Sequence, residues 1–167
     1  VIGKFIVILF PLLMAFAASS DLLTMRISNK LVLAIVAAFF AVALLTRMPL
    51  EEMAMHVACA TVVLIGAFAF FAFGWIGGGD AKLAAATALW LGFGVTLPYM
   101  IYAALLGGGL TLLLLSARRL PLPKSLQRIA WIDRLHNKKT GIPYGIALAA
   151  AGLLVYSDTA LFQQLIA

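Results

Sequence analysis

Two aspartates stand in a chain that otherwise avoids charge. Asp80 follows three glycines in Phe73-Gly-Trp-Ile-Gly-Gly-Gly-Asp80-Ala-Lys-Leu83, with apolar sequence on both sides. Asp21 closes an apolar run in Ser19-Ser-Asp21-Leu-Leu-Thr-Met-Arg26-Ile-Ser-Asn29. Insertion scales put the cost of a charge at the centre of a membrane helix at about 3 kcal/mol, so charges within or at the edge of spans persist where they serve a purpose. Two carboxylates held close cannot both ionise at neutral pH and share a proton. Such a pair combines a base that activates water with an acid that protonates a leaving nitrogen. Asp80 opens its helix, where the macrodipole favours a carboxylate, and Asp21 lies near a helix C-terminus, where the neutral acid is favoured. Asp80 is therefore expected as initial base and Asp21 as initial acid. Glycines ahead of Asp80 permit unusual backbone angles and let another backbone lie close. The plainer alternative is an ordinary turn ending in an N-capping Asp.

The elements that must position these acids are membrane helices. The chain has 167 residues, 65% hydrophobic and 11% charged, with mean hydropathy +1.12. A soluble domain carries about 25% charged residues, and so small a globule has no core large enough for this apolar excess. An all-α integral membrane protein is expected. Six stretches approach the roughly 20 apolar residues of a span: 1–18, 31–45, 53–73, 81–91, 97–116 and 144–156. The fourth must borrow from its flanks, from near Asp80 to Phe93, and the sixth can extend toward Phe162. Residues 1–167 read as one membrane-embedded domain.

Charge then sets orientation. The segment 117–143 holds Arg118, Arg119, Lys124, Arg128, Arg134, Lys138 and Lys139 against a single acid, Asp133. The positive-inside bias makes it a basic cytoplasmic loop. Counting back, Asp21 and Asp80 fall on the same cytoplasmic side, Glu51, Glu52 and Asp158 on the far side, and both termini on the outer, periplasmic side. The net charge of +6 thus reports topology and not nucleic-acid binding. A rival reading takes Lys4, the first apolar run and Ala15-Phe-Ala17 as a cleavable signal peptide, which would leave five spans. Since the chain starts on Val, a few preceding residues are expected to be missing. Within the loop, Lys124–Leu135 has poor helical periodicity and reads as a surface segment with some helix, Trp131 at headgroup level. Cys59 is alone, His56 lies on the outer side and His136 in a loop, so no metal site is expected.

Three ordered motifs give a resemblance. Asp21 with Arg26-Ile27-Ser28-Asn29, then Gly77-Gly78-Gly79-Asp80-Ala81-Lys82-Leu83, then Ile142-Pro143-Tyr144-Gly145 together resemble the type IV prepilin peptidases, membrane aspartic proteases of the GxGD type. The resemblance implies a six-helix bundle with catalytic Asp21 and Asp80 and no metal or cofactor. It implies a bacterial inner-membrane location and removal of the leader from a single-pass prepilin at the cytoplasmic face. Partners would be that substrate, the lipid bilayer and other pilus assembly proteins. Ser28 stands where the family usually has Pro, which puts the shape of that turn in question. Larger relatives carry an N-terminal cytoplasmic segment with Cys-x-x-Cys pairs and N-methylate the product. The first loop here is short and the chain has one cysteine, so it looks like the peptidase-only branch serving Flp-type pilins of tight-adherence systems, without methyltransferase activity.

The supporting residues each carry two readings. Lys82 could snorkel to the headgroups or contact the acids or substrate. Asn29 reads as a cap for the helix after it. Tyr144 could orient a carboxylate or sit in an aromatic belt. Gly77, Gly78 and Gly79 are expected to flank an extended substrate. Gly107-Gly-Gly109 reads as close helix packing or as a flexible joint. The rival function is a small proton-coupled transporter using the two acids as a relay; a dead-site assembly factor should have lost an aspartate.

Overall fold

A computed structural model describes residues 2–166, with side chains from Ile6 onward. Val1, Ala167 and the side chain of Lys4, on which the signal-peptide reading partly rests, lie outside the described residues. Among the described residues every regular element is a helix. In order these are α1 (Ile2–Thr24), α2 (Asn29–Leu45), α3 (Leu50–Ala72), α4 (Gly78–Leu91), α5 (Phe93–Ala117), α6 (Lys124–Gln127), α7 (Ala130–His136), α8 (Tyr144–Tyr156) and α9 (Ala160–Ile166).

The two short apolar helices are the central ones. At 1.5 Å per residue the 14 residues of α4 reach about 21 Å and the 13 of α8 about 20 Å, less than the roughly 30 Å of a bilayer core. Neither needs that length against lipid. Apart from Lys82, α4 is buried from Ala81 to Leu91, and α8 is buried along most of its course. α4 packs on α2, α3, α5 and α8, while α8 also meets α1 and α5. Alanines at positions 81, 84, 85, 86 and 88 let the surrounding backbones approach, as small residues do between membrane helices. Trp90 anchors the centre: its Nε1–H donates to the Ile35 carbonyl at 3.0 Å, and Phe10 and Phe39 lie against its ring. Buried Trp needs such a partner for its N–H.

The outer helices are inside-out by the standard of a soluble protein. Leu12 and Phe16 on α1, Ile65 and Phe68 on α3, and Leu105 and Leu112 on α5 are all exposed. Among the described residues, three helices are long and apolar enough to cross a membrane, namely Ile6–Thr24, α3 and α5; α8 and α9, bent by 54°, make a fourth if taken as one span. The protein is thus a multi-pass membrane protein. α2, at 17 residues, and α4 fall below that length.

One boundary differs from expectation in a way that matters. α1 runs past Ala18 to Thr24, so Asp21 lies inside its last turn and not beyond it. The segment 124–135, by contrast, agrees with its reading as a surface segment with some helix: it holds two short helices, α6 and α7, broken at Arg128 and Ile129.

The basic segment also carries structural contacts. Arg118 is 6% exposed. Its guanidinium donates to the carbonyls of Leu135 (2.7 Å), Thr140 (3.2 Å) and Gly141 (2.9 Å) and to the Thr140 hydroxyl (3.3 Å). The planar fork suits several acceptors at once, which an ammonium cannot match. Arg134 donates to the Leu23 carbonyl at 2.5 Å, a cation on the C-terminal carbonyls of α1 where the dipole favours it. Arg118→Ala is expected to lower stability by about 2 kcal/mol, because several part-buried carbonyls lose a charged donor at once. Arg118→Lys should recover little of it. Thermal unfolding in detergent, with limited proteolysis of the loop, checks both.

Candidate active site

Asp80 owes its place to the start of α4. Gly77 is the N-cap and Asp80 the third helical residue, and the Gly77 N–H donates back to Asp80 Oδ2 at 3.3 Å. That is the return half of a capping box. The glycines do not supply left-handed backbone here, since Gly77 has φ −74°, and the positive-φ glycines are Gly74 and Gly92. Their contribution is space. A Cβ on Gly77 would come 2.8 Å from Asp80 Oδ2, one on Gly78 would press the Phe71 ring at 3.3 Å, and one on Gly79 would lie 3.2 Å from Ile27 Cβ. The space beside these glycines is taken by the chain's own Asp80, Phe71 and Ile27.

Asp21 is held from a different direction. It is 4% exposed, and its Oδ2 accepts the Gly145 N–H at 2.7 Å, across 124 positions of sequence. Gly145 is the second residue of α8. Asp21 thus sits at the C-terminal end of α1 and also on the N-terminus of α8. Both carboxylates accept a backbone N–H at a helix start, so the macrodipole no longer separates them. The expected order of base and acid loses its premise.

Ile27 joins the two sites. It lies in the extended segment between α1 and α2, and it fits between Gly79, ahead of Asp80, and Gly145, beside Asp21. Ile27 and Gly145 were quoted in the sequence motifs without a task. The signal lay in the motifs, but the task depends on contacts between distant segments. Ser28 resolves the question of the missing proline. Its φ of −72° is the one a proline ring would fix, so the turn keeps a shape proline could share.

The supporting residues fall out differently from their sequence readings. Ser28, not Asn29, caps α2, accepting the Leu31 N–H at 3.2 Å. Asn29 instead accepts from Lys82 Nζ at 3.0 Å, which ties α2 to α4. Lys82 is exposed and directed at Asn29. Tyr144 donates to the Ala103 carbonyl at 3.1 Å and lies over Gly107, where any Cβ would collide with its ring. Gly107 is thus a packing glycine, and the Tyr144 hydroxyl is bonded to backbone and not to a carboxylate. Tyr144→Phe is expected to cost about 1 kcal/mol of stability and to leave activity nearly unchanged. Paired thermal-unfolding and turnover measurements check this.

A cavity of about 420 Å³ reaches Asp80 between α3, α5 and α8, and its wall is otherwise almost wholly apolar. On the opposite end of the bundle, buried His56 bonds the Leu89 carbonyl through Nδ1 at 2.7 Å. Among the described residues no three His, Cys, Asp or Glu side chains are grouped to hold a metal ion. The chemistry this end of the bundle offers is therefore that of two carboxylates beside an apolar cavity.

A family model described as the type IV leader peptidase family matches residues 8–112, more than half of the chain and the part containing both Asp21 and Asp80. The chain belongs to the type IV leader peptidase family. Membership carries a general activity, peptidase action on a prepilin in a membrane. The Pro143-Tyr144-Gly145 segment lies outside the matched region, yet it is what holds this leader peptidase's Asp21. No curated protein and no solved structure matches the chain.

Proposed function

We propose that this leader peptidase family member removes the leader of Flp-type prepilins with Asp21 and Asp80 as an aspartic pair. The observation that carries the reading is the joint placement of the two acids. Each is fixed by a backbone N–H at a helix start, and Ile27 bridges them. One carboxylate takes a proton from water as the oxygen attacks the scissile carbonyl. The other, protonated, gives its proton to the leaving nitrogen as the C–N bond breaks, and the pair again holds one proton. Asp80 lines the cavity, whereas Asp21 is buried and does not, so Asp80 is the acid placed to meet water and substrate first.

In this reading α1 to α5 and the α8–α9 pair are six crossings of the bacterial inner membrane, with the acids at the cytoplasmic face. Two features support that depth. Both acids sit in terminal turns of their helices. The α3–α4 turn beside them exposes Phe73 and Trp75, with Phe70 stacked on Trp75 at 5.6 Å, the kind of aromatic cluster that settles at headgroup level. A proton relay wants acids near the midplane, and terminal turns do not put them there. No methyltransferase activity is assigned to the chain.

Co-expression with a Flp-type prepilin tests the assignment. The account expects a pilin shortened by its leader with an unmethylated new N-terminus, read by mass. Proton flux through proteoliposomes without any prepilin cleavage would transfer the function to the transport class.

A further inference from the structure

Two apolar grooves flank α4, and they differ in the charge at their ends. One, lined by Val36, Phe40, Val57 and Leu64, ends at Lys82. The other, lined by Gly66, Ala67, Ala84, Ala103 and Ala104, ends at Asp80. We propose that the Asp80 groove seats the hydrophobic helix of the substrate and grips about its first two turns beyond the scissile bond. This rests on the peptidase reading and adds where the substrate lies.

Three observations on the groove favour a peptide helix as its occupant. Midway along its length, between the larger Val63, Phe70 and Met100, it carries small residues, Gly66 and Ala67 on α3 and Ala103 and Ala104 on α5. Small residues between membrane helices let a partner backbone come close, yet no helix of this chain uses the space at Gly66, where a Cβ would meet nothing within 4 Å. The groove is continuous with Asp80, so a helix lying in it delivers its N-terminal end to the carboxylate. Charge also sorts the occupants. A lipid phosphate is repelled by a carboxylate at the groove's end and attracted by Lys82 at the end of the other. The length follows from α3, where the lining runs from Phe70 back to Val63, about 10 Å or two turns at 1.5 Å per residue.

The free space at Gly66 suits the test, because a Cβ there meets none of the protein's own atoms within 4 Å and a larger side chain can occupy the groove. Gly66→Leu and Ala104→Leu are compared with wild type and with Gly109→Leu, an open α5 glycine outside the groove. A co-expressed type IV prepilin is the substrate. Both groove variants should cut at least about tenfold more slowly, on the order of 1.4 kcal/mol of lost recognition, while the Gly109 variant cuts as wild type and all keep their thermal stability. In parallel, Gly66→Cys in a Cys59→Ala, Asp80→Asn background is oxidised with single-cysteine prepilins. Disulfides should form with positions in the first two turns after the scissile bond and not with later ones. If wild type cuts and the groove variants cut equally well, or if cross-links form from Val57→Cys in the Lys82 groove and not from Gly66→Cys, the groove assignment is overturned and the peptidase reading stands. If wild type cuts no prepilin, both fall together.

Discussion

Asp80→Asn and Asp21→Asn are each expected to lower leader cleavage on the order of 10⁴-fold, and the double variant to be no slower than either single one. Groups that act as one unit give such non-additive losses. Asparagine can neither take a proton from water nor pass one to the leaving nitrogen, so losing either acid stops the cycle. The fold should survive both changes. The bond from the Gly145 N–H needs only an oxygen at Asp21 Oδ2, and the bond from the Gly77 N–H needs only one at Asp80 Oδ2. An amide oxygen supplies both. Thermal unfolding of the two variants should therefore stay within about 1 kcal/mol of wild type. Steady-state cleavage rates for the four proteins, with unfolding curves beside them, settle the matter. Losses that add in the double variant would mean two independent roles instead of a pair.

The second large effect is expected at Gly145. A Cβ there would lie 2.7 Å from Asp21 Oδ2 and 2.8 Å from Ile27 Cδ1. Real side chains do not approach that closely, so one of the three must move. Asp21 is short and held by the Gly145 N–H itself, and pushing its carboxylate away breaks that bond. A displacement of about 1 Å in a catalytic group costs on the order of 10²-fold in rate. Overpacking of this kind also costs roughly 1–3 kcal/mol of stability. Gly145→Ala should show both losses. Adding Ile27→Val removes the Cδ1 contact but leaves the one to Asp21, so the double variant should regain stability and little activity. A double variant that regains both would move the critical contact from Asp21 to Ile27.

Rarity made the two acids legible in the sequence. In a chain with so few charges, an aspartate beside an apolar stretch is conspicuous, and loop charges lead to the expectation that Asp21 and Asp80 share one side. The helices were legible for the same reason, down to the short fourth and sixth stretches. Hydropathy could not say why those two are short. Their burial at the centre of the bundle explains it, because a helix wrapped by others has no bilayer thickness to match. Contacts between segments far apart in sequence were not legible. Ile27 and Gly145 matter because a segment after α1 threads between the starts of α4 and α8, and no local pattern announces that. Lys82 and Asn29 each had a plausible local task, and their real partners are one another. Arg118 was counted as a topological charge, since a charge count treats a buried guanidinium satisfied by carbonyls like any exposed lysine. The dipole argument failed in a similar way. It considered the helix that carries Asp21 and not the one that Asp21 faces.

The central claim is that two aspartates and water cut a prepilin. Its most direct test is mass analysis of purified protein incubated with a purified Flp-type prepilin in defined bilayers. The account predicts two products whose masses sum to that of the precursor plus one water, with none formed by Asp21→Asn or Asp80→Asn protein of unchanged thermal stability. Cleavage that persists in both variants, or an intact prepilin with folded wild-type protein, would contradict it.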